Sequence, residues 1–123
     1  MKKTILLFGF PDLPSVLAVQ TAVAPLGIDV IPVSRSDYNK PLAVLAGLDT
    51  PKTSPTPYAG GNFGGRMVVL CGLMDQVQML LPILNQAGAN CLKAVLTPSN
   101  REWNAVTLYA ELSREQRAFQ GRS

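Results

Sequence analysis

Thr4-Ile5-Leu6-Leu7-Phe8-Gly9-Phe10-Pro11-Asp12 and Met67-Val68-Val69-Leu70-Cys71-Gly72-Leu73-Met74-Asp75 are one pattern written twice, 63 positions apart. Each is a short, continuously apolar run, then Gly, then Asp three residues later. A run of that length with no polar alternation reads as a strand buried on both faces. The Asp then opens a helix by accepting from its free N–H groups. The landmarks downstream match as well. Gly27 ends the first helix as Gly88 ends the later one, Ser34 answers Thr97 at the close of a second strand, and Ala46/Leu48 answer Ala110/Leu112. Strand, helix, strand, helix over 4–48 and again over 66–120 describes an α/β fold made of two βαβα half-repeats. Such units give one four-stranded, mostly parallel sheet with helices on both faces, joined by right-handed crossovers. The expected strand order is 2-1-3-4, with Gly9 and Gly72 at the central switch point. A mixed sheet, or a dimer exchanging halves, is the structural alternative.

The elements can be placed along the chain. Residues 4–10 form a strand, and a helix runs from Asp12 to about Ala24, where Pro25 and Gly27 stop it. Residues 28–34 form a second strand. Pro32 cannot donate a ladder hydrogen bond, which consigns that strand to an edge. A polar turn, Arg35–Lys40, leads to a short helix at about 41–48. Residues 49–65 hold three prolines and four glycines around Tyr58 and Phe63. They read as a linker between the halves, or as a flap over a pocket. In the second half, 66–71 form a strand and Asp75 with Gln78 resembles a capping box. Val77, Leu80, Leu81 and Leu84 share one helical stripe. Pro82 interrupts that helix, and Met79 and Ile83 fall off the stripe, an excess of apolar surface that suggests a homodimer contact. Leu92–Thr97 is the fourth strand. Ser99 with Glu102 reads as a second capping box, starting a helix through Leu108 and Leu112 towards Phe119.

Bulk properties exclude several functions. With 123 residues, 47% hydrophobic and 15% charged, the chain is sized and composed as one globular domain. The net charge of +3 is dispersed apart from Lys2-Lys3 and a basic tail of Arg114, Arg117 and Arg122. Nucleic-acid binding asks for a concentrated basic stripe with stacking aromatics, and none is present. No apolar run approaches the ~18 residues of a membrane span. The N-terminus imitates a signal peptide, but its apolar run breaks at Pro11-Asp12, short of the ~7–15 residues a signal core needs. Parallel strands would hold Cys71 and Cys91 at opposite sheet edges, about 15 Å apart, too far for a disulfide. Free thiols suit the cytoplasm.

The stretch Leu92-Lys-Ala-Val-Leu-Thr-Pro-Ser-Asn-Arg-Glu-Trp103, preceded by Leu70-Cys71-Gly72, resembles a bacterial family, the domain of unknown function 3783. The resemblance covers about residues 67–112, and Thr-Pro-x-Asn-x-x-Trp is its most specific part. It implies a small cytoplasmic α/β domain and brings no activity, cofactor or catalytic residue.

Three clusters fall at expected strand ends, where open α/β sheets bind ligands. The first is Gly9/Asp12 with Gly72/Asp75. Here the Asp caps satisfy the donors that a phosphate would use, and no Walker lysine or GxGxxG motif is present. The sharper reading is a divalent-cation site shared by the two carboxylates. The second is Cys71 at a helix N-terminus, a setting that can make a nucleophile. The chain contains no histidine to act as its base, and a buried inert thiol is the plainer reading. The third is Thr97–Trp103, where Ser99, Asn100 and Arg101 could hydrogen-bond a ligand against Trp103. Its plainer reading is a capped helix start. Together these favour a non-catalytic ligand- or protein-binding module without cofactor or metal. The alternatives are a small enzyme using Cys71 or Asp12/Asp75, and a structural subunit.

Overall fold

The computed structural model describes residues 3–10, 12–47, 66–89 and 91–120. Four strands form one sheet: β1 (Thr4–Phe8), β2 (Asp29–Pro32), β3 (Met67–Cys71) and β4 (Leu92–Val95). Their order is β2-β1-β3-β4, as the sequence suggests. β2 pairs with β1 and β4 with β3 in parallel, whereas β1 and β3 run antiparallel, with Thr4 opposite Cys71 and Phe8 opposite Met67. The sheet is therefore mixed, two of its three pairings being parallel. Pro32 does lie on an edge strand. The candidate linker 49–65 lies outside the described residues.

Helix α1 (Leu13–Val23) connects β1 to β2, and α3 (Val77–Gln86) connects β3 to β4; α2 (Leu42–Leu45) and α4 (Ala105–Gln120) follow β2 and β4. Strand alternation sorts the core into two layers. Ile5, Leu7, Val68 and Leu70 point to one face and meet Val16, Val19 and Val23 of α1 and Leu80 and Leu84 of α3. Leu6, Phe8, Met67, Val69 and Cys71 point to the other and meet Tyr38, Leu42, Ala105 and Leu108. Each central strand is buried along its whole length, as a strand covered on both faces must be.

Helix starts depart from expectation in the second half. Asp12 caps α1, its Oδ1 accepting from Ser15 N at 2.9 Å and Ser15 Oγ at 2.6 Å. Asp75 does not do the same. It lies inside a 3₁₀ turn, Met74–Gln76, and α3 begins at Val77 without a side-chain cap. Ser99 and Glu102 form no capping box either. The chain makes further turns, and α4 starts at Ala105 with Asn104 as cap, its Oδ1 accepting from Thr107 N at 2.9 Å. Ile83, expected outside the core, packs against the α1–α3 layer, while Met79 remains exposed.

Two loops lock the halves together over the second face. Leu42 N donates to Trp103 O and Ala43 N to Arg101 O, both at 2.9 Å, so the β4–α4 loop satisfies the open N-terminus of α2. In return Ala105 N donates to Tyr38 O at 3.1 Å. Tyr38 is 2% exposed; its ring meets Phe8 edge-on, and its hydroxyl accepts from Gly9 N at 2.9 Å.

Candidate functional site

The antiparallel centre decides which predicted site residues meet. Gly9 follows the end of β1 and Gly72 the end of β3, and both take positive φ, 76° and 71°. Because the strands oppose each other, these two turns lie at opposite sheet edges, roughly 20 Å apart at the usual rise. Gly9 and Asp12 are thus separated from Gly72 and Asp75, and no central switch point joins them. Two carboxylates at opposite edges cannot share one cation, whose oxygen ligands lie within ~2.6 Å of it. Among the described residues, no three His, Cys, Asp or Glu side chains gather as metal ligands would. Asp12 is engaged locally, and the Ser15 hydroxyl and then its backbone N–H hold the carboxyl below its ordinary range.

Cys71 is fully buried in the second core layer. Burial pushes its thiol from 9.0 up to about 12, the reverse of what a nucleophile needs. The folded chain therefore keeps a proton that the unfolded chain releases, so stability falls as pH rises from 9 towards 12, at up to about 1.4 kcal/mol per pH unit. Urea midpoints measured across that window will fall more steeply for the native chain than for Cys71→Ala. Cys91 is half-buried, and burial also raises its thiol, opposed by the charges of Lys93 and Arg66.

The third cluster holds together. Gly72 and Thr97 follow the parallel neighbours β3 and β4, at one sheet edge. Beyond β4 the chain closes a tight turn around Asn100. Its Oδ1 accepts from Thr97 N at 2.8 Å, its Nδ2 donates to Val95 O at 3.0 Å, and its own N–H donates to Thr97 Oγ1 at 3.2 Å. Both ends of the amide are spent on shaping the loop. That turn delays α4 and leaves a cleft of about 300 Å³ between β4 and α4, the lower end of small-molecule sites.

Ala94, Val95, Leu108 and Leu112 supply the apolar surface of the cleft, and Trp103, 38% exposed, forms a wall. Thr97, Ser99 and Asn100 line it from the loop and Glu111 from the helix. Glu111 is the one charged residue among the lining side chains, and on its outer side it pairs with Arg114 at 3.1 Å. Arg101 contributes differently. Its carbonyl accepts from Ala43, and its Nε lies 3.7 Å from Glu102. Sequence reasoning missed Glu111 as a site residue. Its signal was present: Leu108, Glu111 and Leu112 stand at i, i+3 and i+4, one face of a helix.

Among the described residues, no helix is long and apolar enough to cross a membrane. No curated protein and no solved structure matches the chain. Residues 66–119, which include β3, β4 and every side chain lining the cleft, match the model of a family described as a domain of unknown function (DUF3783).

Proposed function

We propose that the chain is a cytoplasmic, non-catalytic module that binds a small organic ligand in the cleft between β4 and α4. The observation that carries this reading is the lining itself: apolar surface, one aromatic wall and a few convergent polar groups, the usual make-up of a ligand site. Asn100 is saturated by the loop, which leaves the Ser99 hydroxyl, the Trp103 indole N–H and the Glu111 carboxylate to meet a ligand. With a carboxylate as the charged lining group, the ligand has an apolar body and a cationic or hydrogen-donating head. The head would displace the exposed Arg114 guanidinium from Glu111 and lie against the Trp103 face, where a cation gains about 0.5–2 kcal/mol. Burial of Cys71 and separation of Asp12 from Asp75 favour binding over catalysis.

Benzylamine and benzoate, similar in size and opposite in charge, test this reading by amide chemical-shift mapping. Benzylamine is expected to shift residues 97–103 and 108–112 with a dissociation constant in the millimolar range, as about eight heavy atoms allow. Benzoate is expected to leave them unmoved. Shifts confined to other surfaces, or equal responses to the two probes, would defeat it.

A further inference from the structure

The two helical layers differ sharply in charge. The 11 residues of α1 and the 10 residues of α3 contain no Asp, Glu, Lys or Arg. The opposite side carries Arg35, Asp37, Lys40, Arg101, Glu102, Glu111 and Arg114. The α1–α3 layer keeps its charges off the helices, at Asp12, Asp75 and Lys93; on it Leu13 is 66% exposed, Met74 59%, Leu17 47% and Met79 44%. Exposed Pro14, Ala18 and Pro82 lie on the same two helices, with Thr21, Gln78 and Asn85 among the exposed polar members. Helix α1 thus presents Val16, Val19 and Val23 inward and leucines outward. Large apolar side chains on the outer side of a helix, beside those on its core stripe, are more than an amphipathic surface helix needs, and soluble surfaces ordinarily carry about a quarter or more charged residues.

We propose that a second copy of this chain covers the face, α1–α3 layer against α1–α3 layer, in a two-fold homodimer. An isologous interface must complement itself, and two helices with no charge of their own do so without burying an unpaired ion, the nearby charges Asp12, Asp75 and Lys93 standing at their ends and edge. A partner of one charge would meet Asp12 and Asp75 of one sign and Lys93 of the other, so no single sign of charge suits the face. A lipid surface fits less well, because interfacial helices place Lys and Arg on the polar face and neither helix has any. Two helices about 15–17 Å long and ~10 Å wide give a footprint of roughly 320 Å² in projection and more as accessible surface. That places the contact below the roughly 600–1,000 Å² per partner of standard interfaces, and a weak, concentration-dependent association is expected. Ile83 has no part in it, being packed inward. The cleft lies on the other face of the sheet, so dimerisation leaves it open.

Sedimentation equilibrium of the full chain from about 1 μM to 1 mM tests the proposal. The native chain is expected to pass from monomer to dimer. Leu17→Lys and Met79→Lys are each expected to weaken association at least about tenfold, with the circular-dichroism spectrum retained. Leu13→Lys, at the most exposed of these positions, serves as a second variant should either perturb folding. Thr107→Lys, exposed on the opposite layer, is expected to leave the dimer intact. A monomer at every concentration would overturn the proposal. So would a dimer that withstands the three lysines on the α1–α3 face, or one that Thr107→Lys dissociates.

Discussion

Replacing Tyr38 by Ala is expected to cost about 3–5 kcal/mol, the range for removing a large aromatic from a packed core. Since a domain is stabilised by only about 5–15 kcal/mol, this one change removes about a fifth or more of the total. Tyr38 is 2% exposed, and its ring packs edge-on against Phe8 at a centroid distance of 5.6 Å. Its hydroxyl is the acceptor for Gly9 N, at a turn that already takes φ 76°. Its backbone carbonyl receives Ala105 N from the other half. Tyr38→Phe separates these contributions. It keeps the ring and the backbone bond but leaves Gly9 N without its partner, at about 1–3 kcal/mol. Chemical denaturation of both variants should show Ala clearly below Phe and Phe below the native chain. A Phe variant as stable as the native chain would mean that the hydroxyl does not hold the Gly9 turn.

The second large effect is expected at Asn100. Asn100→Ala deletes two side-chain hydrogen bonds and strands Thr97 N and Val95 O in a half-buried loop. Partial access of water moderates the loss to about 2 kcal/mol, or roughly 8 °C in melting temperature for a domain of this size. Asn100→Asp keeps an acceptor for Thr97 N but sets a carboxylate oxygen against the Val95 carbonyl, and should recover only part of the loss. Because the loop shapes the cleft and caps α2 through Arg101 O and Trp103 O, Asn100→Ala is expected to weaken benzylamine binding. Thermal melts combined with the shift mapping check this. An Asn100→Ala protein that melts like the native chain would show that the loop is held by other contacts.

The strands were legible because short apolar runs bounded by Gly and Asp have few alternative readings, and Pro32 marked an edge. The orientation of the central pair was not. β1 and β3 are buried on both faces along their full length. Either direction of pairing therefore buries the same apolar side chains, and no alternation exists to set the register. That one ambiguity also misplaced part of the site, since it decides whether Gly9 and Gly72 share an edge. The start of α4 was obscured by competition between caps. Ser99-x-x-Glu102 has the form of a capping box, but the Asn100 amide bonds backward to Thr97 and Val95, and the helix waits for Asn104. Tyr38 was hidden in a polar turn, where nothing in its neighbours announces that the loop folds inward.

Within the cleft, Thr97, Ser99, Asn100 and Trp103 were readable as a cluster because they are close in sequence. Glu111 comes from the next element, and only the packing of α4 on β4 brings it to the same space.

The chain contains a single tryptophan, and it is Trp103, so its fluorescence reports on the proposed site directly. Titration with benzylamine is expected to give a saturable change in Trp103 emission, weakened several-fold in Glu111→Gln and absent with benzoate. An emission spectrum unmoved by benzylamine through the millimolar range, or a titration curve the same in Glu111→Gln as in the native chain, would contradict the binding site proposed between β4 and α4.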